Sequence, residues 1–209
     1  MITIKKSSVT YLSHKNDLKS HRGRIVLEEK EVSKDIEYID LSEPPEDFLS
    51  INPYHTLPVL VDRDLVINEP WVIIEYLDER FPHPPLLPVS PVAKAKTRLM
   101  VYRIEQDWYR LYDKIMADRS DTDSISTLND QLMGLDQIFG EKEYFLSSDF
   151  SVVDCTLMPL LWRLPDLGIV FPKYSKIKEY ENRMFAKECF IRSLSEDEKI
   201  LRKAMFDEI

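Results

Sequence analysis

Glycine is scarce in this chain, with four in 209 residues. Neither G-x-G-x-x-G nor G-x-x-x-x-G-K-[ST] occurs, so a phosphate-cradling nucleotide loop of those kinds is not expected. Long apolar runs are missing too. No stretch approaches the roughly 18 apolar residues of a membrane span, and the opening MITIKKSSVTYLS lacks the extended apolar core of a secretory signal. A cytoplasmic protein without a membrane partner is the expectation. Cysteine is limited to Cys155 and Cys189, which form neither a C-x-x-C pair nor a metal-ligand spacing. Cys155 lies in the apolar run VVDCTLMPLLW and reads as a small buried hydrophobe. Nothing beside Cys189 marks it as an activated thiol. No catalytic thiol, metal or cofactor is expected.

What is present is the composition of a soluble globular protein, 44% apolar and 31% charged, long enough for one large domain or two small ones. The formal charge of −9 repels a phosphate backbone, so direct sequence-specific nucleic-acid binding is not expected. The best basic cluster, HKNDLKSHRGR from His14 to Arg24, is interrupted by Asp17 and reads as a solvated helix face.

The first eighty residues alternate between two periodicities. SSVTYLS and DIEYID are strand-like runs, and the stretch between them sets Leu18, Ile25 and Val26 at helical spacing. A short helix is expected around Glu46 to Ser50. LPVLVD and LVIN flank Arg63-Asp64 as a hairpin, and EPWVIIEYLDERF places Trp71, Ile74, Leu77 and Phe81 on one stripe. The resulting order, β-α-β-α-β-β-α, suggests a small mixed sheet with helices on its faces. Beyond Val92 the strand signals largely stop. Met100, Ile104, Trp108, Leu111 and Ile115 predict one long amphipathic helix, and Ile125, Leu128, Leu132, Leu135 and Phe139 predict another. DFSVVDCTLMPLLWRLPDLG is apolar nearly all round and reads as a central helix with a kink at Pro159. Ser151 with Asp154, and Ser195 with Glu198, have the spacing of helix capping boxes and are read as structural. The pattern divides the chain into an α/β domain over 1–82, a proline-rich linker over 83–91 and an all-helical domain over 92–209.

The boundary segment DERFPHPPLLPVSP holds five of the thirteen prolines around His83. Prolines fix φ near the polyproline II value, so the segment is expected to be stiff and extended. On its residues alone it reads either as a spacer or as a preformed surface for a partner.

With Leu57-Pro58-Val59 opening the third strand, the element order resembles the thioredoxin-like N-terminal domain of glutathione transferases. The FSVVD capping box is similarly a mark of that superfamily's helical domain, so the implied fold class is α/β plus all-α. Five blocks in matching order, SHRGRIVLEEKEV, LDERFPHPPLLPV, YRIEQDWY, YFLSSDFSVVDC and PLLWRLPDLGI, resemble more closely the bacterial stringent starvation protein A family of RNA polymerase-associated regulators. The superfamily resemblance implies a cis bond before Pro58, with the Leu57 backbone at a peptide-ligand position. It also implies a hydroxyl or thiol at the start of the first helix and an acid-hydroxyl pair after the hairpin. This chain has Asp17 at the first place and Glu69-Pro70 at the second. A carboxylate repels a developing thiolate, and proline supplies neither hydroxyl nor N–H. The loss is one or two hydrogen bonds of about 0.5–1.5 kcal/mol each. Asp17, Leu57, Pro58, Glu69 and Pro70 are therefore expected to be vestigial, and a glutathione-dependent thiol transferase is the alternative reading.

The narrower family resemblance implies that Pro82, His83 and Pro84 form a surface used on RNA polymerase holoenzyme and its sigma subunit, altering promoter use under starvation or stress. Ser90 stands where the family's pattern has an aromatic. The resemblance also implies a homodimer, with a heterodimer with a paralogue left open. Some of Tyr102, Trp108, Tyr109 and Tyr112 is expected to face a second subunit or a cleft, Tyr109 more than Trp108.

Overall fold

The computed structural model describes residues 2, 4 and 8–206, with side chains up to 202. It divides into two compact units, one of residues 1–85 together with Arg192–Lys199, the other of Leu86–Ile191 and Ile200–Ile209. In the first unit β1 (Val9–Ser13), α1 (Leu18–Glu29), β2 (Lys34–Tyr38), α2 (Phe48–Ile51), β3 (Val59–Asp62), β4 (Leu65–Ile67) and α3 (Pro70–Arg80) follow the predicted order. The sheet runs β2-β1-β3-β4, with β1 parallel to β2 and the other two pairs antiparallel. This is the thioredoxin-like mixed sheet.

Because side chains alternate across a strand, the two faces of the sheet separate by residue parity. Leu12, Val59 and Val61 join Ile2, Ile39 and Phe48 in one apolar cluster. Tyr11 and its partner Leu60 point the other way, and both are fully buried. The Tyr11 hydroxyl donates to the Ser20 carbonyl of α1 at 3.1 Å, and burial pushes its pKa well above the ordinary value. Gly23 is the residue that lets α1 come this close, since a Cβ there would fall inside the Tyr11 hydroxyl. In α3 the core residues are Ile73, Ile74 and Leu77, while Trp71 and Phe81 stay half-buried at the edges of the predicted stripe.

The solvated face expected of His14 to Arg24 is not found. His21, Arg22 and Arg24 are each 0% exposed. Their charge pattern suggested a surface, but His21 and Arg24 have distant partners, Ser193 and Glu198, that admit them to the interior.

The second unit is helical: α4 (Pro91–Ile104), α5 (Arg110–Ala117), α6 (Thr122–Gly134), α7 (Asp136–Phe139), α8 (Val152–Arg163), α9 (Lys176–Phe185), most of α10 (Glu188–Ser193) and the later part of α11 (Glu196–Phe206). The long helix predicted from Met100 to Ile115 is interrupted by a π-helical turn at Glu105–Tyr109. Such a turn carries an extra residue and rotates the face that follows it. Thus Val101 and Ile104 are buried before the turn, Trp108 and Tyr109 within it, and Tyr112 and Ile115 after it, while Met100 and Leu111 are only partly covered. Tyr109 is intramolecular core, with its hydroxyl donating to the Thr156 carbonyl at 2.7 Å, and does not face a second subunit as its position had suggested. Tyr102 remains 59% exposed. Both cysteines are buried, and neither is in a disulfide.

The Ser151–Asp154 box forms as the spacing predicts. Ser151 Oγ accepts from the helix backbone, and Asp154 accepts from the Ser151 N–H at 2.9 Å. Asp154 also takes the Phe145 N–H and the Tyr180 hydroxyl, so one carboxylate caps α8, closes the preceding loop and holds α9. The second box is also made, Ser195 N–H to Glu198 at 2.9 Å and Glu198 N–H to Ser195 Oγ at 3.1 Å.

Candidate functional site

The register of the sheet brings the sequence-predicted glutathione positions to one end of it. Leu60 lies opposite Ile67, so Pro58, just before β3, and Glu69, just beyond β4, lie at the same end of this antiparallel pair. Leu12 lies opposite Val59, which carries Ser13, just before the α1 loop, to the same end. The Leu57-Pro58 peptide bond is cis. Before it, the buried Asn52 side chain donates to the Thr56 carbonyl at 2.8 Å and accepts from Asn68 at 3.0 Å, tying the loop ahead of β3 to the end of β4.

The chemistry at that end is set by what occupies the donors. Asp17 is the N-cap of α1, and its two oxygens accept from the Lys19 and Ser20 backbone N–H groups, each at 2.9 Å. These are donors that would otherwise face an anion at the helix start. A thiolate brought there would meet a carboxylate already holding them. The hydroxyls beside the strand end are committed as well: Ser13 Oγ donates to the His14 carbonyl and accepts from Arg24, and Ser20 Oγ accepts from the His14 N–H. Glu69 stands at the N-cap of α3 without a side-chain capping bond, followed by Pro70 in the first turn. That placement suits an acid at a positive helix end with no ligand present.

Behind the strand end lies a buried polar cluster that no local spacing announces. The five N–H donors of a guanidinium are matched at Arg24 by the Ser193 carbonyl, Ser13 Oγ, the His14 carbonyl and both oxygens of Glu198, the last two at 2.7 Å. His21 Nε2 lies 3.0 Å from Ser193 Oγ, and its Nδ1 lies 3.4 Å from Glu198. Serine, histidine and carboxylate thus line up in the order of a nucleophile relay. The cluster is sealed: His21 and Glu198 are 0% exposed and Ser193 is 1% exposed, and the carboxylate is already paired with Arg24. No substrate reaches it, and it serves as the structural clasp that places Arg192–Lys199 in the first unit.

The other sequence-predicted surface is open. Pro82, His83, Pro84 and Pro85 are all exposed. The segment does not run as one extended helix of the polyproline type. It bends repeatedly, and the His83-Pro84 bond is cis. On its inner side the Lys30 ammonium donates to the Pro84 carbonyl and pairs with Asp78 at 2.6 Å. Neither Lys30 nor Asp78 was marked by the sequence, because a lysine at a helix end ordinarily reads as solvated. Among the described residues, no group of three or more His, Cys, Asp or Glu is placed to hold a metal ion, and no helix is long and apolar enough to cross a membrane.

The family model for the glutathione S-transferase N-terminal domain matches residues 19–80, and that for the C-terminal domain matches residues 109–188. A stringent starvation protein A homolog of Coxiella burnetii is 49% identical over 205 residues, covering 96% of this chain and 98% of its own length. Another, from Haemophilus influenzae, is 44% identical over 196 residues, 92% of each chain. Among solved structures, the tau class glutathione S-transferase of mango is similar with a TM-score of 0.80 at 21% identity, over 97% of this chain and 99% of that one. Glutathione transferase Omega 3C of Trametes versicolor also gives 0.80, at 20% identity over 93% and 91%. At such identities these likenesses show the fold.

Proposed function

The chain belongs to the stringent starvation protein A family, and from that premise we propose that it is a non-catalytic transcription regulator. It binds RNA polymerase holoenzyme, at the sigma subunit, through the Pro82-His83-Pro84 loop, and alters promoter use under starvation or stress. The observation that carries this reading is an exposed loop whose imidazole stands between two prolines and whose Pro84 carbonyl is held from behind by Lys30. A surface of that kind meets a protein partner with little ordering cost. The acidic chain leaves promoter selectivity to the polymerase. It acts in the cytoplasm as a homodimer or paired with a paralogue.

The alternative, a glutathione-dependent thiol transferase, draws on the match to the glutathione S-transferase domain models over residues 19–80 and 109–188. Against it stand the Asp17 carboxylate at the helix start and Pro70 in the place of a hydroxyl donor. The test is co-purification from lysate. The intact chain should bring down polymerase subunits and should not be retained on immobilised glutathione. The variant with Pro82, His83 and Pro84 all changed to alanine should lose the polymerase at an unchanged melting temperature. Unchanged co-purification by the folded triple variant refutes the proposal.

A further inference from the structure

We infer that the Lys30–Asp78 pair, with its ammonium enclosed, is a positioning device, which fixes the orientation in which the Pro82-His83-Pro84 loop is presented. Lys30 is the C-terminal cap of α1, and its side chain is 0% exposed. Asp78 lies in the last turns of α3, with its side chain 11% exposed. The ammonium therefore bridges the ends of two packed helices, and from there it donates to the carbonyl of Pro84, the second residue of the cis His83-Pro84 unit.

A bond of this kind answers a specific difficulty. Pro82, Pro84 and Pro85 have no backbone N–H, so turn or ladder hydrogen bonds from those residues are unavailable to hold the loop. What such a loop can offer is carbonyls, and an external donor must take one of them. A long side chain rooted in helix does this without adding a flexible partner. Enclosing an ammonium and a carboxylate brings little net stability, and the best-attested use of a buried ion pair is to select one arrangement over others. Here the arrangement selected is that of the exposed imidazole one residue before the held carbonyl. The partner-binding half of the inference rests on the polymerase-docking reading. The geometric half does not.

Two readouts separate them: the four histidine Cε1–Hε1 cross-peaks in the NMR spectrum of the full chain (His14, His21, His55 and His83), and the affinity for purified RNA polymerase holoenzyme. The variants are Lys30→Met and Asp78→Asn, with His83→Ala as assignment and binding control. Lys30→Met should displace or broaden the His83 cross-peak and leave the other three in place. It should weaken polymerase binding about tenfold if the presented arrangement falls to about a tenth of the population. Asp78→Asn should move the same peak in the same direction by less, and it decides the matter if Lys30→Met does not fold. An unmoved His83 peak, or displacement of all four peaks together, assigns the pair to general stability and overturns the inference. If His83→Ala binds polymerase as wild type does, the docking reading falls, and the positioning claim is judged on the His83 peak alone.

Discussion

Replacing Arg24 by methionine removes five donated hydrogen bonds and the counter-charge of Glu198 while leaving a side chain of similar length. Both members of the pair are 0% exposed, so the variant strands a carboxylate in the interior. Breaking a buried pair from one side costs about 3–5 kcal/mol. In a chain of this size that is about 6–20 °C of melting temperature. The cost arises from burial of an unmatched charge, so neutralising the other partner should recover part of it. Guanidinium unfolding at neutral pH, followed by far-ultraviolet circular dichroism, is compared for wild type, Arg24→Met, Glu198→Gln and the double variant. The double variant should be more stable than the sum of the two single losses by at least about 1 kcal/mol, as expected for groups in direct contact. A loss below about 1 kcal/mol for Arg24→Met, or strict additivity of the singles, would refute the idea that this pair clasps Arg192–Lys199 into the first unit.

Gly23→Ala should destabilise by about 1–3 kcal/mol, although alanine favours helix, because the new methyl group falls on the Tyr11 hydroxyl; an unchanged denaturation midpoint would contradict the packing described for α1. Asp154→Ala should cost about 3–5 kcal/mol, since the α8 cap is lost and the buried Phe145 N–H and Tyr180 hydroxyl lose their acceptor. Calorimetry of the full chain checks it. Glu181, 2% exposed, has its pKa raised by burial, against the lowering effect of Lys178 and Arg202. An acid with a raised folded-state pKa contributes most below its unfolded value and loses that contribution as pH rises through the folded value. The stability of wild type relative to Glu181→Gln should therefore fall from about pH 4 upward; a rising difference in urea titrations would contradict the sign.

The elements that local rules govern were readable before the structure. The strand runs, the capping pairs Ser151–Asp154 and Ser195–Glu198, and the hairpin at Arg63-Asp64 each depend on residues within a few positions of one another, and each is present. What escaped depends on distance along the chain. Arg24 and Glu198 are 174 residues apart, so neither one's neighbours signal that the other will shelter it. Charge pattern alone then placed Arg24 on a surface. Lys30 and Asp78 are 48 apart and were missed for the same reason. The π-helical turn at Glu105–Tyr109 inserts one residue into an otherwise regular stripe, and no residue type there compels it. Proline content drew attention to the 82–85 segment, but its repeated bends and the Lys30 contact to the Pro84 carbonyl depend on residues far along the chain, which composition does not encode.

The central claim is that an exposed imidazole on a braced loop is the contact to polymerase. Its most direct test is an equilibrium titration of the labelled intact chain with purified RNA polymerase, with and without sigma, for wild type and His83→Ala. The account predicts saturable binding that needs sigma and weakens at least about tenfold in the variant, a loss of about 1.4 kcal/mol. Equal affinity of the two proteins, or binding indifferent to sigma, would contradict it.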